Sequence, residues 1–412
     1  MKNLFALFFA VVFVSAAVSA PIVSDVTVSQ DQTNKTVVVT YTLSGDGIVT
    51  MDVLKDGVSI GLENVDYVTG DANRKVTGGP GKKIFWAAEK SWPGHSTAGV
   101  SVELTAWSTN APPPYMVVDL GHRNEQTYYV STNALPGGGL KNDMYRTTKL
   151  VMRKIPAANV KWLMGRTGGA DYETPRRVTL TEDYYMAIYE FTQGQCFYVT
   201  KETKSKFTYE EDSPMRPVDF VHYGTIRGGR MTEESGWLEV TGAGSCWPDG
   251  GHDDVGETSI LGQLRARTGI KFDMPTSAQW EFACRAGNGN ARYGNTLTDL
   301  GWVPANASEG CASNQTHVVG LKQPNAWGIY DMYGNVHEYV LDRNYLEHST
   351  ADVTDPKGPY ITDFGGHNYY TRLARGGSYN SDSTANSYSV SSLNAYYGPM
   401  LGHGLRLVCP IQ

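Results

Sequence analysis

The sequence has 412 residues and a formal net charge of −7, with 41% hydrophobic and 19% charged residues. A chain of this length exceeds the size at which a single hydrophobic core stops growing, so we expect two domains. The mild acidity argues against nucleic acid and anionic membranes as partners, because both carry negative charge.

The first 20 residues have the pattern of a secretory signal peptide. Lys2 precedes the apolar run 4–14, and small residues continue up to Ala20. The run is too short to cross a bilayer, and no later stretch is apolar for long enough. The sequence therefore predicts a signal peptide at 1–20, no membrane span, and a mature protein that is secreted, periplasmic or at the cell surface. The cleavage position stays open, because Pro21 directly follows Ala20.

Residues 21–108 alternate apolar and polar side chains in short runs rich in β-branched residues, as at 36–42 and 100–107. Turn-forming pairs such as Ser44-Gly45 separate the runs. A period of two between turns predicts β-strands. About seven short strands in this length indicate an all-β sandwich of the immunoglobulin-like or fibronectin type.

The strand pattern ends at three consecutive prolines, residues 112–114. Such prolines favour extended chain, so we interpret 109–144 as a linker with an irregular lead-in. From 145 to 412 the strand-like pieces are short and the loops long, which excludes a helix bundle or a parallel sheet. Only two helices are predicted, at 191–200 and at 277–286, the second capped by Thr276 or Ser277 and ended by Gly287.

Five cysteines lie in the second half of the chain, where export permits oxidation. We expect one or two disulfides and at least one remaining thiol. No spacing typical of a zinc site occurs, and the cluster His252-Asp253-Asp254 is interpreted as a solvated loop. The cysteines are Cys196, Cys246, Cys284, Cys311 and Cys409.

A series of motifs follows between residues 149 and 408. In chain order they occupy 149–156, 162–165, 185–192, 216–218, 274–283, 325–340, 375–378 and 404–408. Their content and order resemble the formylglycine-generating enzyme (sulfatase-modifying factor) family, whose fold is C-type-lectin-like with little regular secondary structure. The resemblance implies an α+β domain of this kind over 145–412. We expect Arg375 and Arg406, each beside glycines, to pair with internal carboxylates or carbonyls.

The resemblance also implies a calcium site at residues 331–338. Calcium prefers oxygen ligands, and a glycine-containing loop lets backbone carbonyls turn toward the ion between two carboxylates. In the alternative interpretation Asp331 is a turn residue, and Glu338 forms an ion pair on the surface. The implied ligands are the side chains of Asp331 and Glu338 and the backbone carbonyls of Gly334 and Val336.

The catalytic cysteines of the family are replaced in this chain. The enzymes hold copper(I) between two cysteines shortly after the Gly-Gly-Ser motif, and the matching positions here are Ser381 and Asn386. Neither side chain supplies the soft sulfur ligand that copper(I) requires, so copper is not expected. We therefore expect a non-catalytic, exported family member, the alternative being an oxidoreductase of the formylglycine-generating type or another enzyme with an unidentified site.

The segment 379–397 has the composition of a binding loop, since 15 of its 19 residues are Tyr, Ser, Asn, Asp or Thr. Antibody loops use the same residues, because tyrosine gives rigid contact area and small polar residues give adaptable hydrogen bonds. An ordinary family loop and a retroelement-diversified segment both fit this composition. We predict a surface for an extracellular glycan, peptide or protein, formed by Tyr379, Asn380, Asp382, Asn386, Tyr388, Asn394, Tyr396 and Tyr397.

Overall fold

The computed structural model describes residues 20–31, 33–95, 98–167, 174–228, 255–287, 296–343, 350–356, 372–381 and 400–411. Most of the predicted signal peptide, Cys246 and the cluster 252–254 lie outside these ranges. The chain divides into two compact units, one up to Pro112 and the other from Pro113 to Ile411. Within the described ranges, no helix combines the length and the apolar character that a bilayer crossing requires.

The first unit consists of two antiparallel sheets. One has the order β1-β2-β7-β5, and in the other β3 pairs with β4, β6 and β8. The strands predicted at 36–42 and 100–107 are confirmed. The elements are β1 (Val23–Gln30), β2 (Thr36–Leu43), β3 (Gly47–Lys55), β4 (Val58–Ser59), β5 (Val68–Gly70), β6 (Lys75–Val76), β7 (Gly79–Ala87), α1 (Ala88–Ser91) and β8 (Val100–Trp107).

Both sheets of this unit contribute to one hydrophobic cluster. Burial alternates along β2, so that Val39 and Tyr41 point inward. Val53 of β3 and Trp86 of β7 join them in the cluster. The alternation of apolar and polar residues in the sequence therefore predicts which side chains form this core.

The second unit has three small sheets, with orders β10-β9-β11-β14-β19, β12-β13-β16 and β17-β15-β18. Its strands are β9 (Tyr115–Asp119), β10 (Gln126–Tyr129), β11 (Lys149–Ile155), β12 (Val160–Met164), β13 (Arg176–Leu180), β14 (Tyr184–Ala187), β15 (His337–Arg343), β16 (Val353–Thr354), β17 (Arg372–Arg375), β18 (His403–Gly404) and β19 (Val408–Pro410). The irregular lead-in predicted before residue 145 is wrong where β9 and β10 form, because Val117 and Val118 are buried in the five-stranded sheet.

Both predicted helices of this unit are confirmed, and both begin with a capping box. Thr276 Oγ1 accepts a hydrogen bond from Gln279 N at 3.1 Å, and Gln279 Oε1 accepts one from Thr276 N at 2.9 Å. The expectation of only two helices is wrong, since Ser259 caps a nine-residue helix with few apolar residues. The helices are α2 (Met144–Thr147), α3 (Gln193–Thr200), α4 (Tyr223–Arg227), α5 (Ile260–Thr268), α6 (Ser277–Arg285) and α7 (Leu297–Leu300).

The four described cysteines are free, so the predicted disulfides do not form among them. Three are buried and pack as small apolar side chains. Burial raises the pKa of Cys196 to about 11 and that of Cys284 to about 12. These thiols therefore stay protonated. The free cysteines are Cys196, Cys284, Cys311 and Cys409.

Candidate ligand and cation site

The sheet β17-β15-β18 brings together motifs that are far apart in the chain. Glu338 of β15 lies opposite Arg375 of β17 in antiparallel pairing. His337, the first residue of β15, lies opposite His403 of β18 in parallel pairing. The Gly-Gly-Ser turn, the predicted calcium segment and the C-terminal motif therefore meet at one end of this sheet.

Three carboxylates and one guanidinium form a buried acidic centre, which we define as Glu190, Asp331, Glu338 and Arg406; all four are fully buried. Arg406 donates to Glu338 from Nη2 at 2.6 Å and from Nε at 3.0 Å. Trp280 Nε1 donates to Glu338 Oε2 at 2.5 Å. The predicted internal pairing of Arg406 is confirmed. The alternative that Glu338 belongs to a surface ion pair is wrong, because both partners are buried.

The other two carboxylates of the centre form no ion pair within the part of the chain that the structure describes. Glu190 accepts from Val336 N at 3.0 Å and from Asn335 Nδ2 at 2.8 Å. Burial, together with the charges of Asp331 and Glu338, raises the pKa of Glu190 well above its usual value. Asp331 Oδ2 accepts from Gly320 N at 2.6 Å, whereas Asp331 Oδ1 is buried and has no hydrogen-bond partner among the described residues. Burial raises the pKa of Asp331 to about 6.

The loop that carries the predicted calcium ligands depends on special backbone positions. Asp331 and Asn335 have positive φ angles of 57° and 63°. A Cβ atom at Gly334 would lie 2.3 Å from the carbonyl oxygen of Trp302, so only glycine permits this close approach. The loop thus holds all four predicted ligand residues in one buried segment.

The buried acidic centre fits a divalent cation in charge and in one open ligand position. Three carboxylates face one guanidinium, and within the described ranges no group donates to Asp331 Oδ1. Glu338 is instead engaged with Arg406 and Trp280. The predicted ligands of such an ion are Asp331, the carbonyls of Gly334 and Val336, and Glu338, which Arg406 and Trp280 already engage.

A second acidic group lies on the surface of the same unit. The ligand atoms of Asp119, His122 and Glu125 lie within 4.8 Å of one another. Lys149 forms an ion pair with Asp119, and the side chain of His122 is 72% exposed. This arrangement is typical of a solvated charge cluster.

The Gly-Gly-Ser turn is held by hydrogen bonds rather than by sulfur chemistry. Arg375 donates to Glu281 Oε2 at 3.2 Å and to Ser277 Oγ at 3.0 Å, which confirms its predicted internal pairing. Ser381, which the resemblance predicts at the first catalytic cysteine position, accepts from Ser378 N at 2.8 Å and closes the turn. The second position, Asn386, lies outside the described residues.

Two of the eight predicted surface residues lie within the described ranges. Tyr379 is only 2% exposed and contacts Phe207 edge to face with ring centroids 5.5 Å apart. Its prediction as a surface residue is wrong, because its backbone bonds to Asn335 and directs the ring into the domain. Asn380 is exposed, as predicted. Asp382, Asn386, Tyr388, Asn394, Tyr396 and Tyr397 lie outside the described residues.

Sequence reasoning missed a group of buried polar side chains beside this turn. The rings of His337 and His403 have centroids 4.9 Å apart, and the ring of Tyr339 lies 5.7 Å from that of His403. Burial lowers the pKa of His337 well below its usual value and that of His403 to about 4, so both imidazoles are neutral near pH 7. A sequence signal existed, since His337 and Tyr339 are two residues apart and so share one face of a strand.

Residues 157–411 match the family described as a sulfatase-modifying factor enzyme 1-like domain. The mouse formylglycine-generating enzyme is 27% identical over 237 residues, which cover 51% of this chain and 60% of the mouse protein. The enzyme of the same name from Thermomonospora curvata is 30% identical over 252 residues, covering 54% of this chain and 80% of that protein. Among solved structures, the Treponema denticola variable protein 1 aligns with a TM-score of 0.46 at 22% identity, over 64% of this chain and 96% of that one.

Proposed function

This chain belongs to the sulfatase-modifying factor family, and we propose that it is an exported, non-catalytic member whose C-terminal domain binds an extracellular ligand. The match spans 60% of the length of the mouse and bovine enzymes. The observation that carries the proposal is Ser381, whose hydroxyl closes a turn where the family's chemistry requires a thiolate.

No other cysteine lies near the two replaced positions in the sequence. The sequence has no cysteine between Cys311 and Cys409. Burial raises the pKa of the Cys409 thiol far above its usual value, so Cys409 stays protonated and unreactive. Relatives such as the mouse and Thermomonospora curvata proteins are named for formylglycine generation, which makes that oxidation the alternative function to be tested.

We expect the ligand to bind at the rim of the Gly-Gly-Ser turn. Lys206 N donates to Asp219 Oδ1 at 2.9 Å, and His337 N donates to the carbonyl oxygen of Gly402 at 2.7 Å, which ties these segments together there. Phe220 and Leu401, next to these contacts, are exposed apolar side chains. Exposed apolar groups beside adaptable polar ones are typical of binding surfaces. The proposed surface combines them with Asn380 and the polar positions between 382 and 397.

The first unit is proposed to be an immunoglobulin-like or fibronectin-type sandwich that acts as a spacer or adhesion module. Two antiparallel sheets with one shared hydrophobic cluster support this assignment. Removal of the predicted signal peptide would release the protein to the periplasm, the cell surface or the medium. N-terminal sequencing of the exported protein tests this route.

Two assays separate binding from catalysis. With copper supplied, oxygen uptake on a sulfatase-type cysteine peptide should not exceed that of copper alone, and turnover above this control would refute the non-catalytic assignment. On a glycan and peptide array, binding should be lost in Tyr396→Ala and Tyr397→Ala and kept in Tyr67→Ala, an exposed tyrosine of the first unit. An array without binding would favour a structural role.

We also propose that Asp331, Gly334, Val336 and Glu338 bind calcium. The unpaired Asp331 Oδ1 and the excess of buried carboxylates support this site. Calcium at 100 times its dissociation constant would stabilise the folded protein by about 2.7 kcal/mol. Thermal unfolding with calcium and with chelator should show this shift in wild type and in Asp352→Ala, an exposed control, but not in Asp331→Ala. Equal melting temperatures of wild type in calcium and in chelator would refute the site.

A further inference from the structure

Three buried polar side chains lie on one face of β15 and β18. His337 and Tyr339 are two residues apart on β15, so their side chains lie on the same face of the sheet. His403 lies opposite His337 on the neighbouring strand. The exposed fractions are 3% for each histidine and 1% for the tyrosine. The sheet thus brings two imidazoles and a phenol together under the Gly-Gly-Ser turn.

The tautomer of His403 follows from its backbone contact. His403 Nδ1 lies 3.2 Å from the carbonyl oxygen of Leu401, which only accepts hydrogen bonds. Nδ1 must therefore carry the proton, and Nε2 of the neutral ring carries a lone pair. That Nε2 atom is buried and has no hydrogen-bond partner in the described part of the chain. A histidine that ligates a metal has this arrangement, with one nitrogen donating to a carbonyl and the other free to coordinate.

The facing groups are also unpartnered. Nδ1 of His337 and the hydroxyl of Tyr339 are both buried, and neither has a hydrogen-bond partner among the residues that the structure describes. A direct bond from His337 Nδ1 to His403 Nε2 would satisfy both rings, yet the rings pack at an interplanar angle of 32° and make no such bond. Buried polar atoms are rarely left unpaired in folded proteins, so three of them at one place favour a bound ligand.

We propose that His337 Nδ1 and His403 Nε2 bind a divalent transition-metal ion. The hydroxyl of Tyr339 would be the oxygen next to this ion. Imidazole nitrogens favour zinc and copper(II), whereas calcium selects oxygen ligands. The site is therefore chemically distinct from the acidic centre. It also differs from a copper(I) dithiolate, because it contains no sulfur. The proposal stands whether the protein binds a ligand or catalyses a reaction.

Copper(II) is the probe, because its electron paramagnetic resonance spectrum counts nitrogen ligands. The full-length protein, freed of any histidine tag and dialysed against chelator, is titrated with copper(II) and then with zinc as competitor. We expect one tight copper ion per chain with hyperfine structure from two imidazole nitrogens. His403→Gln and His337→Gln should each weaken copper binding by about 100-fold or more, since each removes a ligand.

The matched control is His122→Gln, which removes the exposed histidine of the surface cluster. Copper affinity and spectrum should be unchanged in this variant. Tight binding that is lost in His122→Gln and kept in His403→Gln would overturn the proposal. So would a wild-type spectrum with fewer than two imidazole nitrogens, a result that requires no folded variant. Near-ultraviolet circular dichroism establishes that each variant folds, and calcium binding through Asp331 is measured separately.

Discussion

Arg406→Met should destabilise the second unit strongly, because Arg406 is the only cation of the buried acidic centre. The substitution removes the bonds to Glu338 at 2.6 and 3.0 Å and those to the carbonyls of Ala187 and Tyr330 at 3.0 and 2.8 Å. Breaking a buried ion pair from one side costs about 3–5 kcal/mol, and unpaired acceptors add to this loss. We expect a loss of about 5 kcal/mol, a large part of the stability of a typical domain.

The assay is urea unfolding of the full chain in chelator, with amide hydrogen exchange in β15 as the local readout. A loss of this size should lower the unfolding midpoint by about 2 M urea. Arg177→Met is the control, because Arg177 is exposed on β13. Adding Glu338→Gln to Arg406→Met should recover part of the stability, since the unpaired charge is then removed. If Arg406→Met loses no more stability than the control, the interpretation of Glu338 and Arg406 as a buried ion pair that excludes water is refuted.

Three further predictions concern the cap, the loop and pH. Thr276→Ala should cost about 1 kcal/mol in urea unfolding, because it removes a capping box, whereas Thr258→Ala at an exposed site should be near neutral. Gly334→Ala should cost about 1–3 kcal/mol or more, because its Cβ meets a carbonyl oxygen, whereas Gly45→Ala has open space; equal effects would contradict this reasoning. Burial raises the pKa of Asp219 to about 6, so the native state binds this proton more tightly than the unfolded chain. The protonated Asp219 contributes fully to the free energy of unfolding at acid pH, and about 3 kcal/mol of this contribution is lost as the pH rises from about 4 through 6. Asp219→Asn should abolish that part of the pH dependence.

Local rules were sufficient wherever a residue's neighbours in the chain decide its structure. Alternating side chains predicted the strands of the first unit, and Thr276 with Gln279 marked the start of α6. The motif order identified the family, because each motif is short and lies at a fixed place in the fold. Helix α5 was not predicted by these rules, because its apolar face is small and tertiary packing stabilises it.

Pairing across long separations was decided by the tertiary structure alone. The sequence indicated that Arg406 has an internal partner, but the choice of Glu338 depends on how β15 and the C-terminal motif are folded against each other. The facing of His337 and His403 depends on parallel strand register, which no local pattern specifies. Tyr379 has the composition of a binding loop, yet the turn directs its ring into the core. Sequence periodicity determines which face a side chain occupies, whereas its partner is determined by the path of the chain between them.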